Sequence, residues 1–251
     1  MAGAAGLLAA VLMLLSFPAA ALVGGAKPAD RAIARHVVLI VAERSLCTGV
    51  AIASDLALTA GHCVLSSGRY RLVTFEGGRR NAKNVAAVAP HPQFASRADA
   101  ADSPDLALIK LARDPAPSLS PVPLSDRRAL PSVGDRFIVA GFGLAAQGDQ
   151  RSAGQLRAAT LTVTDRPSSQ QLSLVDPQKL GETAGLGVCN GDSGGPVLDE
   201  HDRTLFGIVS WTTRPDGEPL CGFVSGITPL ARYRHWLLET ATKLGSSLSA
   251  P

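Results

Sequence analysis

Charge is scarce in this chain. Asp, Glu, Lys and Arg make up 18% of its 251 residues, and the net charge is +3. So mild a surplus, with no lysine or arginine block, excludes nucleic acid as the expected partner. Cysteine is limited to four residues, Cys47, Cys63, Cys189 and Cys221. None sits in a Cys-x-x-Cys or Cys/His pair with metal-ligand spacing, which excludes a zinc site. Carboxylates are thin as well. Between Phe75 and Lys83 there is one, Glu76, too few for a calcium loop. No repeat at solenoid periods is visible. What the chain does have is 46% hydrophobic residues, enough for a sizeable core and too many for disorder. Its length fits one large all-β domain or two small ones.

The first 26 residues carry no charged side chain. Leu7 to Leu15 is an apolar run, Pro18 breaks it, and Ala19-Ala20-Ala21 is an A-x-A cleavage signal. Residues 1–21 therefore read as a secretory signal peptide, and the destination as secreted or periplasmic. The leader departs from the usual pattern in lacking lysine or arginine. Its uncharged stretch is long enough to span a bilayer, so an uncleaved anchor is the alternative. An even cysteine count in an exported chain predicts two disulfides, with three connectivities open.

The chemistry centres on Cys189-Asn190-Gly191-Asp192-Ser193-Gly194-Gly195-Pro196-Val197. A serine becomes a nucleophile only with an adjacent base and a place for the developing oxyanion. Glycines let the backbone turn tightly there, and the N–H groups of Gly191 and Ser193 can then converge on one point. Asp192 points elsewhere and needs a cation of its own. Taken alone, the stretch is ordinary turn composition. Two other segments change that reading. His62 lies in Leu58-Thr59-Ala60-Gly61-His62-Cys63, and Asp105 heads the apolar run Leu106 to Leu111. A buried acid needs a partner, and Asp105 beside His62 Nδ1 would leave Nε2 to take the proton of Ser193.

These three segments, in the order His, Asp, Ser, closely resemble the chymotrypsin-like (trypsin family) serine peptidases. The resemblance implies an all-β fold of two packed antiparallel Greek-key barrels with a C-terminal helix. It implies catalytic His62, Asp105 and Ser193, an oxyanion hole of Gly191 and Ser193, and disulfides Cys47–Cys63 and Cys189–Cys221. A third bridge common in animal relatives has no cysteines here. Leu22-Val23-Gly24-Gly25 resembles the family's mature amino terminus, whose α-amine would pair with Asp192. Signal cut and activating cut would then coincide at Leu22. The resemblance also puts Gly187 at the bottom of the S1 pocket, Thr212 and Gly222 on its walls, and Ser210-Trp211 on the strand that pairs with substrate. Trypsin-like specificity needs aspartate where Gly187 stands, so small or medium apolar P1 residues are expected. Polypeptide substrates and protein inhibitors are the implied partners of a monomer, with no cofactor, no metal, and no membrane once the signal is removed.

Short apolar runs predict strands at Val37–Ala42, Thr48–Ala53, Leu56–Ala60, Tyr70–Glu76, Val85–Ala89, Leu106–Leu111, Leu156–Val163, Leu205–Trp211 and Cys221–Gly226. The expected plan is a peptidase domain over 22–244. It comprises a first barrel at about 33–113, a proline-rich crossing at 114–131, a second barrel at 132–228 and a helix at 229–244 begun by Pro229. A frayed tail follows at 245–251. Two other functions fit parts of the sequence. A silent homologue acting as a protein-binding module usually loses one of the three residues, and this chain keeps them all. An α/β-hydrolase esterase fits Gly191-Asp192-Ser193-Gly194-Gly195 as Gly-x-Ser-x-Gly, but its order is Ser, Asp, His.

Overall fold

The computed structural model describes residues 22–43, 45–65, 68–76, 79–94, 103–112, 119–166 and 170–248. The signal peptide at 1–21, the loop carboxylates Asp99 and Asp102, Pro115 and Pro117 of the crossing, and the tail at 249–251 lie outside the described residues.

Two barrels account for almost every strand. The first contains β2 (Val37–Val41), β3 (Leu46–Ala53), β4 (Leu56–Thr59), β5 (Arg71–Glu76), β6 (Arg79–Pro90) and β7 (Ala107–Leu111). These close in the order β2-β3-β4-β7-β6-β5. The strands are short because each apolar run is short, and closure leaves no open edge. The second barrel contains β8 (Arg136–Gly141), β9 (Arg157–Asp165), β10 (Leu172–Val175), β11 (Pro196–Asp199), β12 (Leu205–Thr213) and β13 (Val224–Pro229). It runs β9-β10-β13-β12-β11-β8, and the pairing of β8 with β9 closes it. The short β1 (Lys27–Pro28) adds to β9, and one helical turn, α1 (Arg31–Ala34), leads from it to β2.

From Leu119 to Pro131 the crossing forms no helix, as its proline content predicts. Ser120 N donates to Arg35 O and Val122 N to Ala51 O on the first barrel, and Ser125 N donates to Leu205 O on the second.

Four stretches differ from the sequence reading. β6 begins at Arg79, six residues ahead of the expected Val85, because Arg79 to Asn84 pair with β5. β13 begins at Val224, three residues later than expected, because Cys221-Gly222-Phe223 turns at Gly222 (φ 79°). Pro229 ends β13 opposite Gly207 instead of starting the helix. A 3-10 turn at Ala231–Tyr233 then leads into α2 (Arg234–Lys243). The helix faces inward with Tyr233, Leu237 and Ala241, and the rings of Tyr233 and Trp236 flank His91 at 5.3 and 4.8 Å. Finally, the tail does not fray at once. Ser246 is buried, and its hydroxyl donates to Asp55 Oδ1 (2.8 Å) and accepts from Lys110 Nζ (2.7 Å).

Candidate active site

His62 and Asp105 come from the first barrel and Ser193 from the second, so the cleft between barrels assembles them. β4 delivers His62 on a short 3-10 turn (Gly61–Val64), and Asp105 lies two residues before β7. β4 and β7 are neighbours in the sheet, which sets the two side chains together. His62 Nδ1 and Asp105 Oδ2 are 2.8 Å apart, and His62 N donates to Asp105 Oδ1 at 2.9 Å. Ser210 Oγ donates to Oδ2 at 2.6 Å. Burial works to raise the pKa of Asp105. The hydrogen bond and charge of His62, with Ser210, outweigh it and hold the carboxyl below its ordinary value. An ionised Asp105 accepts, so Nδ1 carries the proton and Nε2 keeps its lone pair.

Ser193 is held by its backbone. Its carbonyl accepts from Thr48 N at 2.9 Å and lies 3.8 Å from Cys63 Sγ, beside His62 in the chain. No hydrogen bond joins Ser193 Oγ to His62 Nε2 in the ligand-free cleft; such bonds are often long until substrate binds. Gly191 and Gly194 take φ of 98° and 79°, and a Cβ on Gly194 would fall 2.1 Å from Thr59 Oγ1. Here glycine is required both by conformation and by space. The carbonyl of Gly191 accepts from Thr48 Oγ1 at 2.8 Å. Among the described residues the N–H groups of Gly191 and Ser193 have no internal acceptor.

Behind them Asp192 is fully buried. Its carboxylate accepts from Gly143 N (2.8 Å) and Cys189 N (2.9 Å), and no cation pairs with it among the described residues. Burial pushes its pKa up to about 7 against the pull of those two N–H groups. Leu22 is also fully buried, packed with Phe137 and Val139, and Val23 N donates to Gly187 O at 3.1 Å. In the uncut chain Leu22 has no α-amino group to offer Asp192.

A pocket of about 260 Å³ opens beside Ser193. Ser210, Trp211 and Thr212 line it, as do Val188, Leu220 and Gln147. Gly187 and Gly222 are not in its lining; they lie back to back behind it, where a Cβ on Gly187 would meet Gly222 Cα at 2.8 Å. Asp216 and Glu218 do not reach the pocket, and Asp216 pairs with Arg214 at 3.0 Å. Two disulfides frame the cleft, Cys47–Cys63 beside His62 and Cys189–Cys221 beside the pocket. Sulfur and imidazole atoms of Cys47, Cys63 and His62 lie within 4.8 Å of one another, but with the sulfurs bonded together they offer no thiolate to a metal.

A family model described as Trypsin matches residues 22–237. The chain belongs to the trypsin family. It is a serine endopeptidase. Rat kallikrein-8 is 28% identical over 82% of this chain and 80% of its own length. Human serine protease 56 is 30% identical over 87% of this chain, which spans 38% of that protein. The solved structure of neuropsin, a serine protease expressed in the limbic system of mouse brain, superimposes with a TM-score of 0.70 at 22% identity, over 87% of this chain and 99% of that one. That likeness bears on the fold alone. No helix among the described residues of this trypsin-family chain is long and apolar enough to cross a membrane.

Sequence reasoning missed three residues of the site. Thr48, adjacent to Cys47, ties Gly191 and Ser193 to the first barrel and accepts from Phe142 N at 3.0 Å. Gln147 Oε1 accepts from Cys221 N at 2.9 Å and so joins two segments of the pocket lining. Gln171 accepts the indole N–H of Trp211. The Thr in Cys47-Thr48-Gly49 was a signal open to reading. The two glutamines carried none.

Proposed function

We propose that His62, Asp105 and Ser193 form the catalytic triad of an exported endopeptidase that cleaves after small or medium apolar residues. The observation that carries this is the set of three hydrogen bonds on Asp105, which fixes the His62 tautomer and leaves Nε2 to act. Ser193 Oγ attacks the scissile carbonyl while Nε2 takes its proton, and the N–H groups of Gly191 and Ser193 receive the oxyanion. The imidazolium then protonates the leaving amine, and water repeats the sequence on the acyl-enzyme. Substrate adds a strand along Ser210 to Thr212, where β12 has run past its last pairing with β11 at Ile208.

The uncharged lining of the pocket supports the apolar preference. Val188 and Leu220 offer apolar contact, and Thr212 Oγ1 donates to Leu220 O at 2.9 Å, drawing the two walls together. A peptide panel varying P1 should show Ala, Val or Leu cleaved faster than Arg by at least about tenfold, since a buried guanidinium would have no partner. Arginine cut best would refute this. In Gln147→Ala the optimum should move towards larger apolar residues, because a lining side chain and its bond to Cys221 are gone.

Export also activates the enzyme in this reading. One cut before Leu22 releases the α-amine that the buried Asp192 lacks. The decisive experiment uses secreted protein with its N-terminus sequenced, a fluorophosphonate probe, and the Ser193→Ala variant beside it. Probe on Ser193 of the native chain alone supports an assembled triad, and kcat in Ser193→Ala and His62→Ala should fall by about 10⁵-fold or more. Folded protein beginning at Leu22 that takes no label would favour the silent binding module instead.

A further inference from the structure

Asp176 follows β10 and opens the loop that runs to Gly187. It is buried, and no cation pairs with it among the described residues. Two backbone N–H groups hold its carboxylate. Gln178 N donates to Oδ1 at 2.8 Å, and Leu186 N, from the far side of the loop, donates to Oδ2 at 2.7 Å. Lys179 N and Leu180 N donate to its carbonyl, and the turn they close ends on Leu180 at φ 51°. A leucine keeps that left-handed conformation only where its surroundings impose it. Space is tight as well: a Cβ on Gly185 would fall 2.3 Å from Asp176 Oδ2. Neither disulfide, Cys47–Cys63 or Cys189–Cys221, closes this loop. The carboxylate closes it instead.

What the loop carries is the seat of the amino-terminal segment. Val23 N donates to Gly187 O at 3.1 Å in an isolated antiparallel bridge. Gly24 lies so close to the Gly185–Leu186 peptide that a Cβ on it would fall 2.1 Å from Gly185 O. The side chain of Leu186 packs against the cluster that holds Leu22. One residue thus gives its N–H to Asp176 and its side chain to the Leu22 site. Gly185 N also donates to Gly222 O at 2.8 Å, which links the loop to the segment after Cys221.

We propose that Asp176 is a positioning residue: it fixes the 176–187 loop as the seat of the cut amino terminus and so keeps the Leu22 α-amine on Asp192. This rests on the Leu22–Asp192 pair proposed above. A carboxylate binds N–H groups more strongly than a neutral acceptor does. Asp176→Asn keeps the shape but turns one acceptor into a donor that faces an N–H. The loop then opens more often, and the segment seated on it opens too. Asp176 does not line the pocket beside Ser193, so its effect on activity passes through Leu22.

The test treats the mature chain with cyanate at neutral pH. Cyanate carbamylates α-amines ahead of lysines there, because their pKa is about 7.7–8.0 against about 10.4. Mass spectrometry of the amino-terminal peptide follows Leu22, and ester hydrolysis follows activity in the same samples, well below the Tm of each protein. Two variants disturb the carboxylate, Asp176→Asn directly and Gly185→Ala through its added methyl. In both, Leu22 should be carbamylated and activity lost about tenfold faster than in wild type, the scale of one lost hydrogen bond at a carboxylate. Glu182→Gln changes an exposed carboxylate of the same loop, and Ser246→Ala cuts the distant contacts to Asp55 and Lys110. Both should keep the wild-type rate. Wild-type rates in the two loop variants would overturn the proposal even if their Tm fell, since Asp176 would then only stabilise. An equal acceleration in Ser246→Ala would overturn it as well. Wild type that stays fully active with Leu22 fully carbamylated would overturn the Leu22–Asp192 pair itself, and the proposal with it.

Discussion

Three hydrogen bonds converge on the carboxylate of Asp105, and the consequences run outward from that one residue. The group is buried yet held ionised, so it orients His62 without competing for its proton. Thr48 does comparable work for the oxyanion loop. Its hydroxyl donates to Gly191 O and accepts from Phe142 N, and its own N–H donates to Ser193 O. Thr48→Val keeps the shape and strips the hydroxyl, which leaves the half-buried Gly191 carbonyl and the buried Phe142 N–H without this partner. Gly191 would then lose the contact that aims its N–H. We expect kcat to fall about tenfold with KM little changed, the mark of an interaction felt in the transition state. Equal turnover in wild type and variant would mean that Thr48 only packs.

At the scale of elements, two buried histidines join parts of the fold. His36 Nδ1 lies 2.6 Å from Ser120 O, tying the first barrel to the crossing. His91 sits between Tyr233 and Trp236, tying β6 to α2. Burial lowers both below the ordinary value of 6.5. For His36, the bond to Ser120 opposes that shift and Arg35 adds to it. Each is therefore neutral in the fold at pH values where the unfolded chain binds a proton. Their contribution is intact above 6.5 and is lost as pH falls below it towards their folded values. In the mature chain, melting followed from pH 7.5 to 5 should show a falling Tm, and His91→Gln should flatten the slope. A Tm independent of pH across that range would contradict the assignment.

For the whole molecule, the balance turns on Asp192. In the uncut chain its pKa stands at about 7 against an ordinary 3.8. The fold then holds a proton that the unfolded chain releases, so stability declines as pH rises from about 4 to about 7. An α-amine at Leu22 would hold Asp192 ionised and remove that decline. Precursor and mature forms should therefore diverge in Tm as pH rises through this window, the precursor being the weaker at pH 7. Parallel curves would argue against the Leu22–Asp192 pair. The same protonation should leave the precursor's oxyanion loop less ordered, so its fluorophosphonate labelling should be slower than that of the mature form.

Each motif was legible in the linear chain because each makes its own local demand. The glycines around Ser193 answer to backbone conformation, and the apolar runs after Asp105 and before His62 answer to strand burial. Their order alone separated this family from the α/β-hydrolases. The sequence by itself thus determined the barrel class, the three candidate catalytic residues and the glycines beside them. Tertiary structure decided what depends on residues far apart. Thr48 meets Gly191 across 143 positions, and Gln147 meets Cys221 across 74. Such contacts are set by how two barrels pack, and neither partner needs a distinctive neighbour to make them. The pocket lining shifted from Gly187 and Gly222 to Val188 and Leu220 for the same reason.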